Sequence, residues 1–182
     1  SSLIAARVGL DSQPLDLTDI ASRRWLTAGI WPESLPAIRE LDDAVDVVLK
    51  RSQEEVHFLQ CVACAPEKAP AFVAKNIPAD DPDVGLLLYN MGVTVRMSDQ
   101  EYARYAQAVA ETLKPWGERG LWVEVEHVRG ETFSTTYQLR VHRLVKGVPS
   151  SLVMASFDIE TAQHVFSHAS GAFLAGIEPS RP

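Results

Sequence analysis

Apolar residues change their spacing at Gly120, and no other feature of this sequence limits the fold as strongly. Before Gly120 they recur about every 3.6 residues, which is the period of a helix with one buried face. After Gly120 they alternate with polar residues, which is the period of a strand with one packed and one polar face. The sequence therefore predicts a helical N-terminal half followed by a sheet.

The alternating region divides into successive strands. One strand is predicted from Trp122 to Arg129, with a turn at Gly130, and a later one from Leu152 to Asp158, after a turn at residues 147–149. The strand between them has two contrasting faces: Phe133, Thr135, Tyr137, Leu139 and Val141 on one, and Ser134, Thr136, Gln138, Arg140 and His142 on the other. Because one packed and one polar face are typical of antiparallel sheets, we expect an antiparallel β-meander.

Helices are predicted on both sides of this meander. Thr18 is a candidate cap for a helix over Asp19 to Ala28, whose inward face holds Ile20, Ala21, Trp25 and Ala28. Ser34 and Pro36 favour the start of a second helix, with a stripe of apolar residues at helical spacing: Ile38, Leu41, Val45 and Val48. A closing helix is predicted from Asp158 or Thr161 through Phe173.

The clearest local signal is the capping box formed by Ser98 and Glu101. The Ser98 hydroxyl can accept from the Glu101 amide, while the Glu101 carboxylate reaches back to the Ser98 amide. Behind this box one helical face carries Tyr102, Tyr105, Ala106, Val109 and Leu113, and Pro115 and Gly117 end the helix. The preceding segment, Leu86 to Met97, is predicted to form one or two strands.

The segment Glu54 to Ala65 fits either a buried strand or a third helix, because its apolar run is too short to decide. The acidic residues at its start favour the helix. The complete prediction is one α+β domain over residues 1–182, with an N-terminal helical half, a strand and helix, and a C-terminal antiparallel β-meander closed by a helix.

Charge and composition exclude several classes of protein. A net charge of -7 and a pI near 5.2 disfavour nucleic acid as a partner. No apolar run is long enough for a membrane span, and the first residues lack the pattern of a secretory signal. Two closely spaced cysteines do not make a disulfide framework, which favours a reducing compartment and therefore a cytoplasmic location.

Three residues have the spacing of a possible zinc site. His57, Cys61 and Cys64 lie at i, i+4 and i+7, and His164 and His168 form a second pair. Structural zinc needs four ligands and usually several thiolates, and the sequence has no second Cys-x-x-Cys. The competing interpretation, in which the cysteines are small buried hydrophobic residues, is favoured. We therefore predict no metal and no cofactor, and keep a zinc-stabilised domain as an alternative.

A polar group on two predicted neighbouring strands is the best candidate for catalysis: Glu124, Glu126 and His127, with Arg140 and His142. Together these residues could supply an acid and a base. They could equally form exposed charge pairs across the strands, each contributing little to stability, and that interpretation is favoured.

The sequence contains no phosphate-binding loop, dinucleotide fingerprint, nucleophile elbow or H-E-x-x-H helix. Trp31, between Ile30 and Pro32 in a predicted loop, is the best candidate for contact with another protein. The sequence therefore favours a non-catalytic protein-binding domain of bacterial type, similar in role to an adaptor or chaperone. The alternative is a small-ligand-binding protein or an enzyme with a pocket between the sheet and the helices.

Overall fold

The structure is a computed structural model that describes residues 4–55, 58–128 and 136–158, and the backbone of residues 164–166. It confirms the predicted mixed α+β class. The chain divides into two compact units, Ser1–Ala69 and Pro70–Pro182. Whether these units act as one domain over residues 1–182 stays a prediction.

The first unit combines two helices with a small parallel sheet. Its elements are β1 (Val8–Asp11), α1 (Ile20–Ala28), α2 (Leu35–Glu54) and β2 (Gln60–Ala63), followed by a 3₁₀ turn at Pro66–Lys68. Strands β1 and β2 pair in parallel, with Gly9 opposite Cys61. The predicted stripe of α2 does face inward, because Val45 is buried and Ile38, Leu41 and Val48 are half-buried.

The second unit is built on a five-stranded sheet. Its elements are α3 (Ala69–Asn76), β3 (Leu86–Met91), α4 (Asp99–Leu113), β4 (Gly120–His127), β5 (Thr136–Val145), β6 (Val148–Asp158) and β7 (His164–Phe166). The strands follow the order β3-β4-β5-β6-β7. Strands β4 to β6 form the predicted antiparallel meander and β7 extends it by one strand, whereas β3 pairs with β4 in parallel through a connection that contains α4.

Helix α4 begins at the predicted capping box. The Ser98 hydroxyl accepts from the Glu101 amide at 3.3 Å, and the Ser98 amide donates to the Glu101 carboxylate at 2.8 Å. The helix buries Val109, Thr112 and Leu113. The sequence therefore fixes both where α4 starts and which face it buries.

The change of period at Gly120 coincides with a close approach of the backbone. A Cβ atom on Gly120 would lie 3.0 Å from Cβ of Trp116 and 3.1 Å from Cδ2 of Leu113. A larger residue would therefore push the start of β4 away from the end of α4. Glycine is also favoured in the turn between β5 and β6, but for its backbone conformation. Lys146 and Gly147 both have positive φ, as in the two-residue hairpin turns whose twist matches that of the strands.

The predicted closing helix is wrong at residues 164–166. These residues form β7, whose Val165 lies opposite Ser156 of β6. An edge strand with unpaired backbone groups can bind a further strand, and here that pairing prevails over helical capping. The rest of the predicted helix lies outside the described residues, as do the turn at Gly130 and the segment 133–135.

The predicted third helix over Glu54 to Ala65 is also wrong. Helix α2 ends at Glu54, and residues 60–63 form β2 because their backbone pairs with β1. Of the one or two strands predicted over Leu86 to Met97, one forms and ends at Met91. Gly92 then takes positive φ, and a 3₁₀ turn follows at Thr94–Arg96. In both segments tertiary pairing and turn geometry decide what the apolar pattern leaves open.

Helix α1 differs from its prediction at two points. Asp19, not Thr18, is the cap: its carboxylate accepts from the Ser22 amide at 2.8 Å, whereas Thr18 donates to Asp16. A carboxylate reaches the helix amides as well as a hydroxyl does and also favours the positive helix end. The expected inward face is not buried, since 73% of Trp25 is exposed. None of the helices in the described ranges is long and apolar enough to cross a membrane.

The capping box gives a direct stability test. We expect Ser98→Ala to lower the free energy of unfolding by about 1 kcal/mol, because the Glu101 amide loses its acceptor and the Glu101 carboxylate loses the Ser98 hydroxyl. Ser34→Ala is the matched control, since Ser34 caps α2 without a side-chain hydrogen bond and should change stability by less than about 0.5 kcal/mol. Urea unfolding followed by circular dichroism measures both, and equal effects would contradict the assigned role of Ser98.

Candidate functional site

Helix α4 covers one face of the sheet, and the two glutamates of β4 on that face are buried. Trp122, Glu124 and Glu126 alternate along β4 towards α4, and each is at most 3% exposed. The favoured prediction for this group was a set of exposed charge pairs. The structure differs because α4 packs over this face: Tyr105 contacts the Trp122 ring edge-on, with ring centroids 5.9 Å apart.

Glu124 lies at the centre of this face with its side chain fully buried. One carboxylate oxygen, Oε1, accepts from the Tyr102 hydroxyl at 2.9 Å and lies 3.1 Å from Nε2 of His142. The Arg140 guanidinium lies 3.6 Å from the same oxygen. Groups from α4 and β5 therefore converge on one atom of β4, and this convergence compensates for removing the carboxylate from water.

The surroundings of Glu124 act on its pKa in opposite directions. Burial is the largest influence and raises the pKa, because it disfavours the charged form. The hydrogen bonds from His142 and Tyr102, with the charges of His142 and Arg140, lower the pKa and prevail together. The pKa of Glu124 is therefore held below its ordinary value of 4.5, and the side chain is a carboxylate at neutral pH.

Two tyrosines keep their protons beside this carboxylate. Burial and the charge of Glu124 raise the pKa of Tyr102 to about 12. Burial and the charges of Glu124 and Glu126 raise the pKa of Tyr105 to about 12 as well. Tyr102 therefore stays a hydrogen-bond donor to Glu124 over the whole physiological pH range.

The carboxylate fixes the hydrogen on the His142 ring. Because Glu124 is ionised and only accepts, Nε2 of His142 must carry a hydrogen in order to bind it. In the neutral ring, Nδ1 then keeps its lone pair. The ring also stacks on Trp122, with centroids 4.1 Å apart and planes inclined by 20°. The two contacts hold His142 in one orientation, and the contact with Glu124 places a hydrogen on Nε2.

Arg140 is positioned by its neighbour two residues away on β5. Its Nε and NH2 groups donate to Oε1 of Gln138 at 3.1 and 2.6 Å. Beside it, the pairing of β5 with β6 shifts: Leu139 lies opposite Ala155 and Arg140 opposite Val153. This irregularity changes the local twist of the strands, as β-bulges next to functional sites often do.

Glu126 has a separate set of partners and a structural role. Its Oε1 accepts from Asn90 at 2.7 Å and from the amides of Val93 and Thr94 at 2.9 and 3.1 Å. Asn90 in turn accepts from the indole nitrogen of Trp122 at 2.5 Å. Glu126 therefore ties the turn after β3 to β4, on the same side of the sheet as Glu124.

A pocket of about 200 Å³ opens beside His142, between α4 and the sheet. Its lining within the described residues comprises Ala106, Ala110, Leu113, Trp122, His142, Arg143, Leu144, Pro149, Ser150 and Ser151. Ala106 and Ala110 lie one helical turn apart, and their small side chains leave the space that a larger residue would fill. Carbon atoms form most of the wall, and the described lining contains two ionisable residues, His142 and Arg143.

The arrangement has the parts of a proton-accepting site. An ionised carboxylate holds the imidazole in a defined tautomer, and the imidazole forms part of a pocket wall. Such a histidine can accept a hydrogen bond or a proton from a bound molecule through its second ring nitrogen. Among the described residues, Nδ1 of His142 has no hydrogen-bond partner.

The structure brings together three of the predicted candidates, Glu124, Arg140 and His142. Glu126 shares their side of the sheet but binds other partners. His127 points to the opposite side and packs against Tyr137, with ring centroids 3.8 Å apart. Sequence reasoning missed Tyr102 and Trp122 as members of the site, although it placed Tyr102 on the inward face of α4.

The other predicted candidates lie elsewhere. Trp31 is 82% exposed in the first unit. Cys61 belongs to β2 and is exposed, and Cys64 follows that strand and is half-buried, so neither has the helical placement or the full burial that was expected. His57 and His168 lie outside the described residues, and those that are described contain no cluster of three metal-binding side chains.

The buried carboxylate predicts a specific acid dependence. Because the folded-state pKa of Glu124 is depressed, its stabilising contribution is present above pH 4.5 and is lost as the pH falls through the folded pKa. We expect Glu124→Gln to lower the free energy of unfolding at pH 7 by roughly 1–3 kcal/mol and to flatten the fall in stability below about pH 5.

Urea unfolding at a series of pH values measures this effect. Glu118→Gln is the control, because Glu118 is an exposed carboxylate near the end of α4. It should shift stability by less than about 0.5 kcal/mol at pH 7. An acid dependence that is unchanged in Glu124→Gln would contradict the depressed pKa.

Residues 1–160 match the model of one protein family, DUF2332, whose description is "Uncharacterized protein conserved in bacteria". No curated protein matches the chain, and no solved structure matches it.

Proposed function

The chain belongs to this bacterial family, and from that premise we propose that it binds a small molecule in the pocket between α4 and the sheet, with His142 as the polar contact. One observation carries the proposal: His142 lies in the pocket wall and is held from behind by a fully buried carboxylate. The sequence favoured an adaptor, but this geometry supports its alternative better.

The chemistry of the pocket fits a small-molecule site. Ligand pockets are mostly apolar cavities with a few polar groups in fixed positions. Here Trp122 and Leu144 supply apolar surface from the sheet, and Ser151, which lies opposite His142 across β5 and β6, lines the same pocket. At about 200 Å³ the pocket is smaller than the roughly 300–1,000 Å³ of sites for drug-sized ligands, so it suits a small metabolite.

The buried charge also supports a functional role. A buried ion pair contributes little net stability compared with well-packed apolar residues, because desolvation offsets the attraction. Glu124, Arg140 and His142 are therefore poor choices for stability alone. Ionisable groups with shifted pKa values beside a cavity are typical of functional sites.

Filling the pocket tests the proposal without touching any charged residue. We expect Ala110→Leu to abolish the binding of small molecules found by ligand-observed NMR in a library of uncharged fragments, because the added side chain occupies the cavity. Ala103→Leu is the matched control, since Ala103 is exposed on the same helix, and it should bind the same fragments as the unaltered protein.

Both variants should keep the circular dichroism spectrum of the unaltered protein. Fragments that bind Ala110→Leu as tightly as the unaltered protein would show that the cavity is not the binding site. A library without a single binder would count against the small-molecule function itself.

A second candidate function is protein binding at β3. This strand lies at the edge of the described sheet, and Leu87, Tyr89 and Met91 are 59–61% exposed on one of its faces. An edge strand with an exposed apolar row can pair with an extended segment of another protein. The exposed Trp31 supports a separate contact on the first unit, and the net charge of -7 argues against nucleic acid as the partner.

The location proposed for either function is the cytoplasm. Cys61 and Cys64 are both free thiols. Free, partly exposed thiols suit a reducing compartment, where they stay unpaired.

Two substitutions separate the candidate protein-binding surfaces. If β3 is the binding edge, Tyr89→Lys should reduce by about tenfold or more the capture of a stoichiometric partner from a bacterial lysate, because a charge replaces a central hydrophobic contact. Trp31→Ala should leave that capture unchanged. The reverse result would assign the contact to Trp31, and a partner retained by both variants would exclude both surfaces.

A further inference from the structure

We propose that the ligand is an uncharged molecule with a small apolar body and one hydroxyl group, and that this hydroxyl donates a hydrogen bond to Nδ1 of His142. The inference rests on the proposed function, because it specifies the ligand of the same pocket. Three properties of the site lead to it: its hydrogen-bonding pattern, its pairing of charges and its size.

The hydrogen-bonding pattern requires a donor on the ligand. Glu124 takes the hydrogen on Nε2 of His142, so the neutral ring offers only the lone pair of Nδ1 to a ligand. Among the described residues no other group occupies Nδ1. A bound molecule that lacks an O–H or N–H donor would leave this nitrogen desolvated and unpaired, which weakens binding.

The pairing of charges disfavours a charged ligand. The negative charge of Glu124 is balanced by Arg140, and neither residue belongs to the pocket lining. A carboxylate ligand would face the lone pair of the neutral imidazole. Arg143 is the cation among the described lining residues, but it alternates with His142 along β5, so its side chain projects towards the other face of the sheet. A cationic ligand would meet no acidic side chain among the described lining residues, although burial of a charge needs a compensating partner.

The hydroxyl oxygen of the ligand also finds a partner. Ser151 lies directly opposite His142 across β5 and β6 and lines the same pocket. Its hydroxyl can donate to an oxygen that itself donates to Nδ1. The remaining walls can bury an apolar body of limited size. They are formed by Ala106, Ala110, Leu113, Trp122 and Leu144.

Three closely related probes test this inference on the unaltered protein: benzyl alcohol, benzyl methyl ether and benzoate. The ether keeps the ring and the oxygen but removes the donated hydrogen, and benzoate adds a negative charge. NMR titrations of the three probes at one common pH give the three dissociation constants to be compared. We expect benzyl alcohol to bind roughly threefold to tenfold more tightly than the ether, and benzoate to bind most weakly.

A substitution links the preference to His142. In His142→Phe the ring that stacks on Trp122 is kept but the nitrogen is lost, so the alcohol and the ether should bind with equal affinity. If this variant does not fold, the comparison of alcohol with ether on the unaltered protein still decides the inference. Ser151→Ala should weaken the binding of benzyl alcohol more than the binding of the ether.

The outcomes separate failure of the inference from failure of the proposed function. Three results would overturn the inference that the ligand donates a hydroxyl hydrogen to His142. These are equal binding of alcohol and ether, tighter binding of benzoate than of the alcohol, and no binding of any probe. In the first two cases, loss of probe binding in Ala110→Leu would show that the pocket is the binding site for a ligand of another class. If no probe binds, the uncharged fragments tested on Ala110→Leu decide whether the pocket is a binding site. Probes that bind unchanged to Ala110→Leu would overturn the inference and the proposed function together.

Discussion

The burial of Glu124 is the constraint on which the second unit depends. A carboxylate removed from water must be compensated by donors or cations, and here these come from Tyr102 on α4 and from Arg140 and His142 on β5. A helix that slid along the sheet, or a strand displaced by one residue, would separate the carboxylate from these groups. The network therefore specifies how α4 and β5 sit against β4, and it places His142 beside the cavity as a consequence.

Much of the fold follows from local rules that act within a few residues. The period of two after Gly120 predicts the meander, because alternation fixes which residues share a face. Ser98 and Glu101 predict the start of α4, because the capping box is satisfied by neighbours in sequence. The errors occur where distant backbone groups decide the outcome. Residues 60–63 become a strand only because β1 is available for pairing, and residues 164–166 because β6 is.

The charged residues of the site were predictable from the sequence, but the participation of Tyr102 and Trp122 and the burial of the site were not. Alternation places Glu124 and Glu126 on one face and His127 on the other, and cross-strand pairing brings Arg140 opposite Glu124. The sequence pattern does not tell which face α4 will cover, and polar residues favour the expectation of an exposed face. Burial under α4 changes the properties of these residues. Exposed charge pairs would contribute little to stability. In the buried network, the pKa of Tyr102 is raised to about 12.

Two features that apolar packing could replace coincide at this position. A buried network of charges could be replaced by apolar residues with little loss of stability. A cavity beside paired alanines could be closed by one larger side chain, which would gain packing contacts. Either feature alone is compatible with an ordinary core. Their meeting at His142, with one ring nitrogen fixed by Glu124 and the ring in the cavity wall, is what a site needs in order to hold a small molecule in one orientation.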